Sequence, residues 1–177
     1  LEMGGKNPTI VLADADFASA VENTVNASMF STGQKCTATS RAIVEAPIYD
    51  RFVEAVVERT KKLKVGNGLQ PGIDIGPCVD EGQLKTVLHY IEEGRKQAGE
   101  PLCGGHRLTG GDYDKGYFVE PTVFAGVTQD MVIAREEIFG PVLAIMKADN
   151  FGHAMQIANA SEFGLSASLQ TSSLSRM

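Results

Sequence analysis

The residue with the clearest chemical potential is Cys36, in the run Phe30-Ser31-Thr32-Gly33-Gln34-Lys35-Cys36-Thr37. A thiolate, not a thiol, attacks electrophiles, and a cysteine in a tight turn beside a lysine reaches that state more cheaply than one in an apolar wall. Free cysteine is more commonly a small buried hydrophobe, and that reading stays open on sequence alone. Against it, Cys36 is flanked by Gly33, Gln34, Lys35, Thr37 and Thr39. Such a turn is polar and leaves backbone N–H groups available. A cysteine nucleophile also needs a base, which can activate the water that releases a covalent intermediate. Glu2 is the candidate, in Leu1-Glu2-Met3-Gly4-Gly5-Lys6-Asn7-Pro8. Two consecutive glycines let the backbone approach a ligand closely, and Pro8 fixes the start of an extended segment. Glu2 and Cys36 are separated by about one strand–helix unit, so both can fold into one crevice. A lone glutamate is otherwise most often a solvated surface group.

The elements that position these turns follow from hydrophobic periodicity. Residues 8–12 (PTIVL) predict a buried strand, and Asp14 or Asp16 can cap a helix whose Phe17, Ala20, Val21, Thr24, Val25, Ser28 and Met29 share a face. Residues 41–46 predict a second strand, closed by Pro47, and residues 48–63 a second helix. The glycine- and proline-rich stretch 65–77 is a loop without phosphate-loop spacing. Asp80 caps a predicted helix over 81–98, with Leu84, Val87, Leu88 and Ile91 inward. His89 on that helix has no second ligand at helical spacing and reads as a surface residue. Residues 101–103 predict a brief strand with Cys103 in the core, 104–116 a glycine-rich hairpin, and 117–124 an extended run broken by Pro121. Residues 142–146 predict a buried strand, Phe151, Ala154, Met155 and Ala158 a helical face, and 165–170 a last strand. Strands alternating with helices of this length predict an α/β fold, a parallel-type sheet flanked by helices in three layers.

Composition agrees with one domain over 1–177. Hydrophobic residues make up 43% and charged ones 21%, with no run long enough to span a membrane. The net charge of -6, with both signs interspersed, offers no basic patch for nucleic acid. Three cysteines without paired spacing predict neither a disulfide framework nor a zinc site, which fits a reducing compartment such as the cytoplasm. The chain starts at Leu1 without a signal-peptide pattern, and its last residues resemble the first turn of a further element. The expectation is a piece of a longer polypeptide.

LEMGGKNP, GQKCTATSR and EEIFGPV, in this order, resemble the catalytic domain of the NAD(P)-dependent aldehyde dehydrogenase superfamily, as do GPCVDEGQL and GYFVEPTVF between them. The resemblance covers essentially the whole chain. It implies that Cys36 attacks an aldehyde carbonyl to give a thiohemiacetal, that hydride leaves for nicotinamide, and that the remaining thioester is hydrolysed to a carboxylic acid. It implies Glu2 as general base and the Cys36 backbone N–H as an oxyanion donor, helped by an asparagine from a preceding domain. It assigns Glu137 to the nicotinamide ribose hydroxyls, Phe139 to packing near the nicotinamide, Gln83 to the same ribose, and Met3, Gly4 and Gly5 to the pocket lining. Glu136 and Phe139 can equally be a solvated carboxylate and a core aromatic.

The implied partners are NAD or NADP and a small aldehyde, with no metal and a homodimeric or homotetrameric full-length protein. The dinucleotide-binding domain precedes Leu1 in the family and the C-terminal end is also absent, so this chain alone is expected neither to hold the cofactor with normal affinity nor to oxidise aldehydes efficiently. GQKCTATSRAIVE is most similar to members acting on semialdehydes of small carboxylic acids, and Lys35 could attract a substrate carboxylate. Two other readings remain: a non-catalytic module of the same fold, and a thiol esterase needing no nucleotide.

Overall fold

The computed structural model describes residues 3–176. Its centre is a five-stranded sheet built from β1 (Asn7–Val11), β2 (Thr39–Glu45), β3 (Thr122–Phe124), β4 (Val142–Ala148) and β5 (Ser168–Gln170), in the order β3-β4-β2-β1-β5. All four pairings are parallel. Parallel strands need covered faces, which is why every residue of β1 is buried and the middle of β4 reads as an unbroken apolar run instead of alternating. The parallel sheet flanked by helices that the sequence predicts is therefore present.

Five helices supply the cover: α1 (Phe17–Met29), α2 (Tyr49–Lys61), α3 (Glu81–Ala98), the single turn α4 (Val132–Arg135) and α5 (Phe151–Asn159). Three begin at side-chain caps, where a carboxylate or amide oxygen accepts an orphan N–H of the first turn. Asp16 accepts from Ser19, Asp80 from Gln83 and Asn150 from His153, at 2.8, 2.8 and 3.0 Å. One sheet face packs Val11, Val44, Leu143 and Ile145 against Val25 of α1 and Phe52 and Val56 of α2. The other packs Ile10, Ile43 and Met146 against Leu84, Val87 and Ile91 of α3 and Ala154 and Ile157 of α5. Three layers result, as expected.

Several local expectations change. Met155 is 40% exposed, because Ala154 and Ile157, not Met155, fill the inward face of α5. Cys103 is half-buried at the margin of the α1–α2 layer, since its strand is reduced to an isolated antiparallel bridge with Val123. The stretch 104–116 does fold back on 117–124, through a bridge between Arg107 and Val119 and a 3-10 turn at Gly111–Lys115. Of 165–170 only Ser168–Gln170 pairs, on the sheet edge beside β1. The single-turn α4 is too short to leave a periodic signal.

Candidate active site

The chemistry-bearing residues collect at the amino ends of β1, β2 and β4. In open α/β sheets ligands usually sit beyond the carboxyl ends of strands; here Gly5 precedes β1, Cys36 precedes β2 and Glu137 precedes β4. Cys36 is exposed. The chain leaves α1 through Ser31, Thr32 and Gly33, all left-handed with φ of 55, 59 and 64°. Left-handed backbone costs a non-glycine residue about 1–2 kcal/mol. Thr32 is held there by donating its hydroxyl to Gly76 O at 3.1 Å, and Gln34 N–H donates back to Ser31 O at 3.0 Å. Gly33 has a second requirement, since a Cβ on it would lie 2.2 Å from Gly140 O, so the Cys36 turn rests directly on the turn that starts β4.

The Cys36 backbone is fixed from both sides. Ala38 N–H donates to Lys35 O at 3.0 Å. Because C=O and N–H point oppositely across a trans peptide, the Cys36 N–H faces away from Ala38, and no described residue accepts it. From β1, the buried Asn7 amide donates to Cys36 O at 2.7 Å and Ala38 O at 2.8 Å, while its oxygen accepts Ser166 N–H at 3.2 Å. Gly5 passes so close that a Cβ would sit 2.3 Å from Cys36 O. The other two thiols are unsuited to nucleophilic work: burial pushes Cys78 and Cys103 up to about 11.

Glu137 joins this backbone cluster. Gly5 N–H donates to its Oε1 at 2.8 Å. A Cβ on Gly4, whose φ is 61°, would come within 3.0 Å of Oε2, so glycine keeps that second oxygen uncovered. Phe139 is 38% exposed and held at φ 54°. Gln83, which the resemblance implies at the same ribose, donates its amide nitrogen to Ile138 O and Phe139 O, both at 2.9 Å. It therefore braces the Phe139 turn from the first turn of α3. Glu136 points elsewhere and accepts the Tyr90 hydroxyl at 2.7 Å; burial and that carboxylate push Tyr90 up to about 12. A shallow cleft of about 20 Å³ joins Gly5, Lys35, Ser40, Glu137 and Phe139. Met3 is exposed, and Glu2, the expected base, lies outside the described residues.

The brace is testable. Gln83→Leu removes both donors and is expected to destabilise the chain by about 1–2 kcal/mol. Gln83→Glu should be worse at pH 7, because a carboxylate would then face two carbonyl oxygens. Thermal unfolding that ranks the glutamate variant above the leucine one would contradict this bonding.

The family model described as the aldehyde dehydrogenase family matches residues 1–177. The chain belongs to that family. It is 49% identical over 177 residues to an alpha-ketoglutaric semialdehyde dehydrogenase of Bacillus subtilis and 46% identical over 176 to a betaine aldehyde dehydrogenase of Mesorhizobium japonicum. These matches take in 100% and 99% of this chain but 36% of each relative. Among solved structures, the aldehyde dehydrogenase KauB from Pseudomonas aeruginosa superposes with a TM-score of 0.93 at 45% identity, over 98% of this chain and 35% of that one. Betaine aldehyde dehydrogenase from Staphylococcus aureus, solved in complex with NAD+, does so with a TM-score of 0.96 at 35% identity, over 99% and 35%. The chain thus spans just over a third of the aldehyde dehydrogenases it matches. Among the described residues, no group of three or more His, Cys, Asp or Glu is placed to hold a metal ion, and no helix is long and apolar enough to cross a membrane.

Two features of this site escape sequence reading. Asn7 carries no local sign that its amide reaches across to the Cys36 turn. The contact of Gly33 with Gly140 could have been suspected only because both turns carry an isolated glycine near a candidate site residue.

Proposed function

We propose that residues 1–177 form the catalytic domain of an NAD(P)-dependent aldehyde dehydrogenase that oxidises an aldehyde to a carboxylic acid. The observation that carries this is the exposed Cys36 with its outward N–H, in a turn tied through Asn7 and Gly5 to the loop presenting Glu137. The Cys36 sulfur attacks the aldehyde carbon and forms a thiohemiacetal. Its oxyanion takes the Cys36 N–H as donor, a fixed dipole that needs no reorganisation as charge develops. Glu2 serves as the base that activates the thiol or the water that later releases the acid. The second Glu137 oxygen, left open by Gly4, suits the paired hydroxyls of a ribose, and Phe139 offers a flat apolar surface beside it. Bound NAD or NADP would supply the hydride acceptor between attack and thioester hydrolysis.

The substrate class we favour is a semialdehyde of a small carboxylic acid. Lys35 is exposed beside the nucleophile and can attract a distal carboxylate, and the Bacillus subtilis relative is named for such a substrate. A cytoplasmic full-length enzyme fits the sparse, unpaired cysteines, and a homo-oligomer is what the family resemblance implies. A nucleotide-independent thiol esterase is the second reading, favoured by the fact that sulfur and N–H donor lie on one turn; ester hydrolysis without nucleotide would select it.

The decisive test is thiol alkylation with iodoacetamide at pH 7.5. Thiols titrating near 11 carry roughly one thiolate in three thousand at that pH, so Cys36 is expected to react at least about 100-fold faster than Cys78 or Cys103. Comparable rates at the three positions would remove the nucleophile from this proposal.

A further inference from the structure

Beside β1, and separate from the small cleft at Gly5 and Glu137, lies a groove of about 480 Å³ between α5 and the segment leading to β5. Its walls are apolar at Phe151, Met155 and Leu165, and its charged residues are Lys6, Arg41 and Arg176, with no aspartate or glutamate. This is a cationic patch on a chain of net charge -6. Lys6 and Arg41 are 2% and 1% exposed, and neither has a carboxylate within ion-pair distance among the described residues. Arg41 spends Nε and both terminal nitrogens on the neutral carbonyls of Lys6, Ile157 and Ala158, at 3.0, 3.2 and 3.0 Å. The Lys6 Nζ has no hydrogen-bond partner at all among the described residues. Two buried cations without an anion are unfavourable unless something supplies one.

We propose that this groove binds an organic monocarboxylate with a short apolar tail, its carboxylate pairing with Lys6 Nζ and its tail lying against Phe151, Met155 and Leu165. The volume lies within the range of small-molecule pockets, and the mixture of apolar wall and convergent cations is the pattern such ligands select. Lys6 has the flexible stem needed to tip its amine toward the ligand. The groups facing it are Arg41 from β2, which disfavours its proton, Glu137 and Glu136 from the turn before β4, which favour it, and Arg176 at the rim. A bound carboxylate adds a third favourable charge, so binding above neutral pH draws a proton onto Lys6. Occupancy also touches the neighbouring cleft, because Asn7 lines the groove and holds the Cys36 carbonyl. The site does not depend on the chemistry proposed for Cys36.

Calorimetric titration of the full chain with hexanoate, hexanol and hexylamine at pH 7 and 9 tests this. Hexanoate should bind 1:1 and at least tenfold more tightly than hexanol, with no detectable binding of hexylamine. At pH 9 the heats in buffers of different ionisation enthalpy should report uptake of close to one proton. Lys6→Met should weaken hexanoate at least tenfold while leaving hexanol unchanged, and Lys6→Arg should keep hexanoate binding without the proton uptake. Equal affinity for hexanoate and hexanol, or undiminished hexanoate binding by Lys6→Met, overturns the proposal.

Discussion

Gly33→Ala is expected to lower the melting temperature by roughly 10 °C and to slow Cys36 alkylation in the protein that still folds. Two penalties combine at this position. A side chain at φ 64° costs about 1–2 kcal/mol. The new Cβ would also lie 2.2 Å from Gly140 O and 2.5 Å from its carbonyl carbon, and backbone cannot rotate aside as a flexible side chain can. Overpacking of this kind adds about 1–3 kcal/mol. Gly126→Ala is the control, because Gly126 has φ 68° but nothing within 4 Å of its added Cβ. The difference between the two variants therefore reads the contact between the Cys36 turn and the turn that starts β4. Equal losses in thermal unfolding would mean that this contact contributes nothing.

Lys6→Met is expected to stabilise the chain, with a pH dependence that identifies the cause. Burial lowers the Lys6 amine from 10.5 to about 7, with the Arg41 charge adding to it and Glu137 and Glu136 opposing. Between those two values the unfolded chain holds a proton that the folded chain has released, so wild-type stability rises with pH across that window. Below about 7 both states are protonated and the full penalty applies. The methionine variant should therefore gain most at pH 6.5, up to about 4 kcal/mol, and little by pH 10. Urea denaturation of both proteins at pH 6.5, 8 and 9.5 measures the difference. A gain independent of pH would assign it to apolar packing, and a loss would mean that Lys6 already has an anionic partner.

The fold was readable wherever a signal is local. Asp80, three residues before Gln83, marks the start of α3, and Gly99 its end, so 81–98 is found at its observed limits. Residues 10–12, 42–44 and 142–146 show as short apolar runs because both faces of the strands they belong to are covered. Met155 misleads since a methionine at helical spacing looks like core, whereas the inward side of α5 is filled by the smaller Ala154 and by Ile157. At the candidate site, motifs single out Cys36, Glu137 and Phe139, yet they do not show what holds them. Asn7 to Cys36, Gly5 to Glu137 and Gln83 to Phe139 are contacts between turns far apart in the chain, and such contacts leave no periodicity behind. Lys6 and Arg41 are likewise charged residues that sequence alone would send to the surface.

Placing these turns ahead of the strands fixes the downstream end of each in the sheet. Downstream, Cys36, Gly5 and Glu137 run within a few residues into β2, β1 and β4, the interior of the sheet. Upstream, the first two follow glycine or left-handed backbone, at Gly4 and at Ser31 to Gly33, while the third follows only the single-turn α4. The three turns lean on one another at the sheet rim, Gly5 against Cys36 O and Glu137 and Gly33 against Gly140, so a shift in one is felt by the other two.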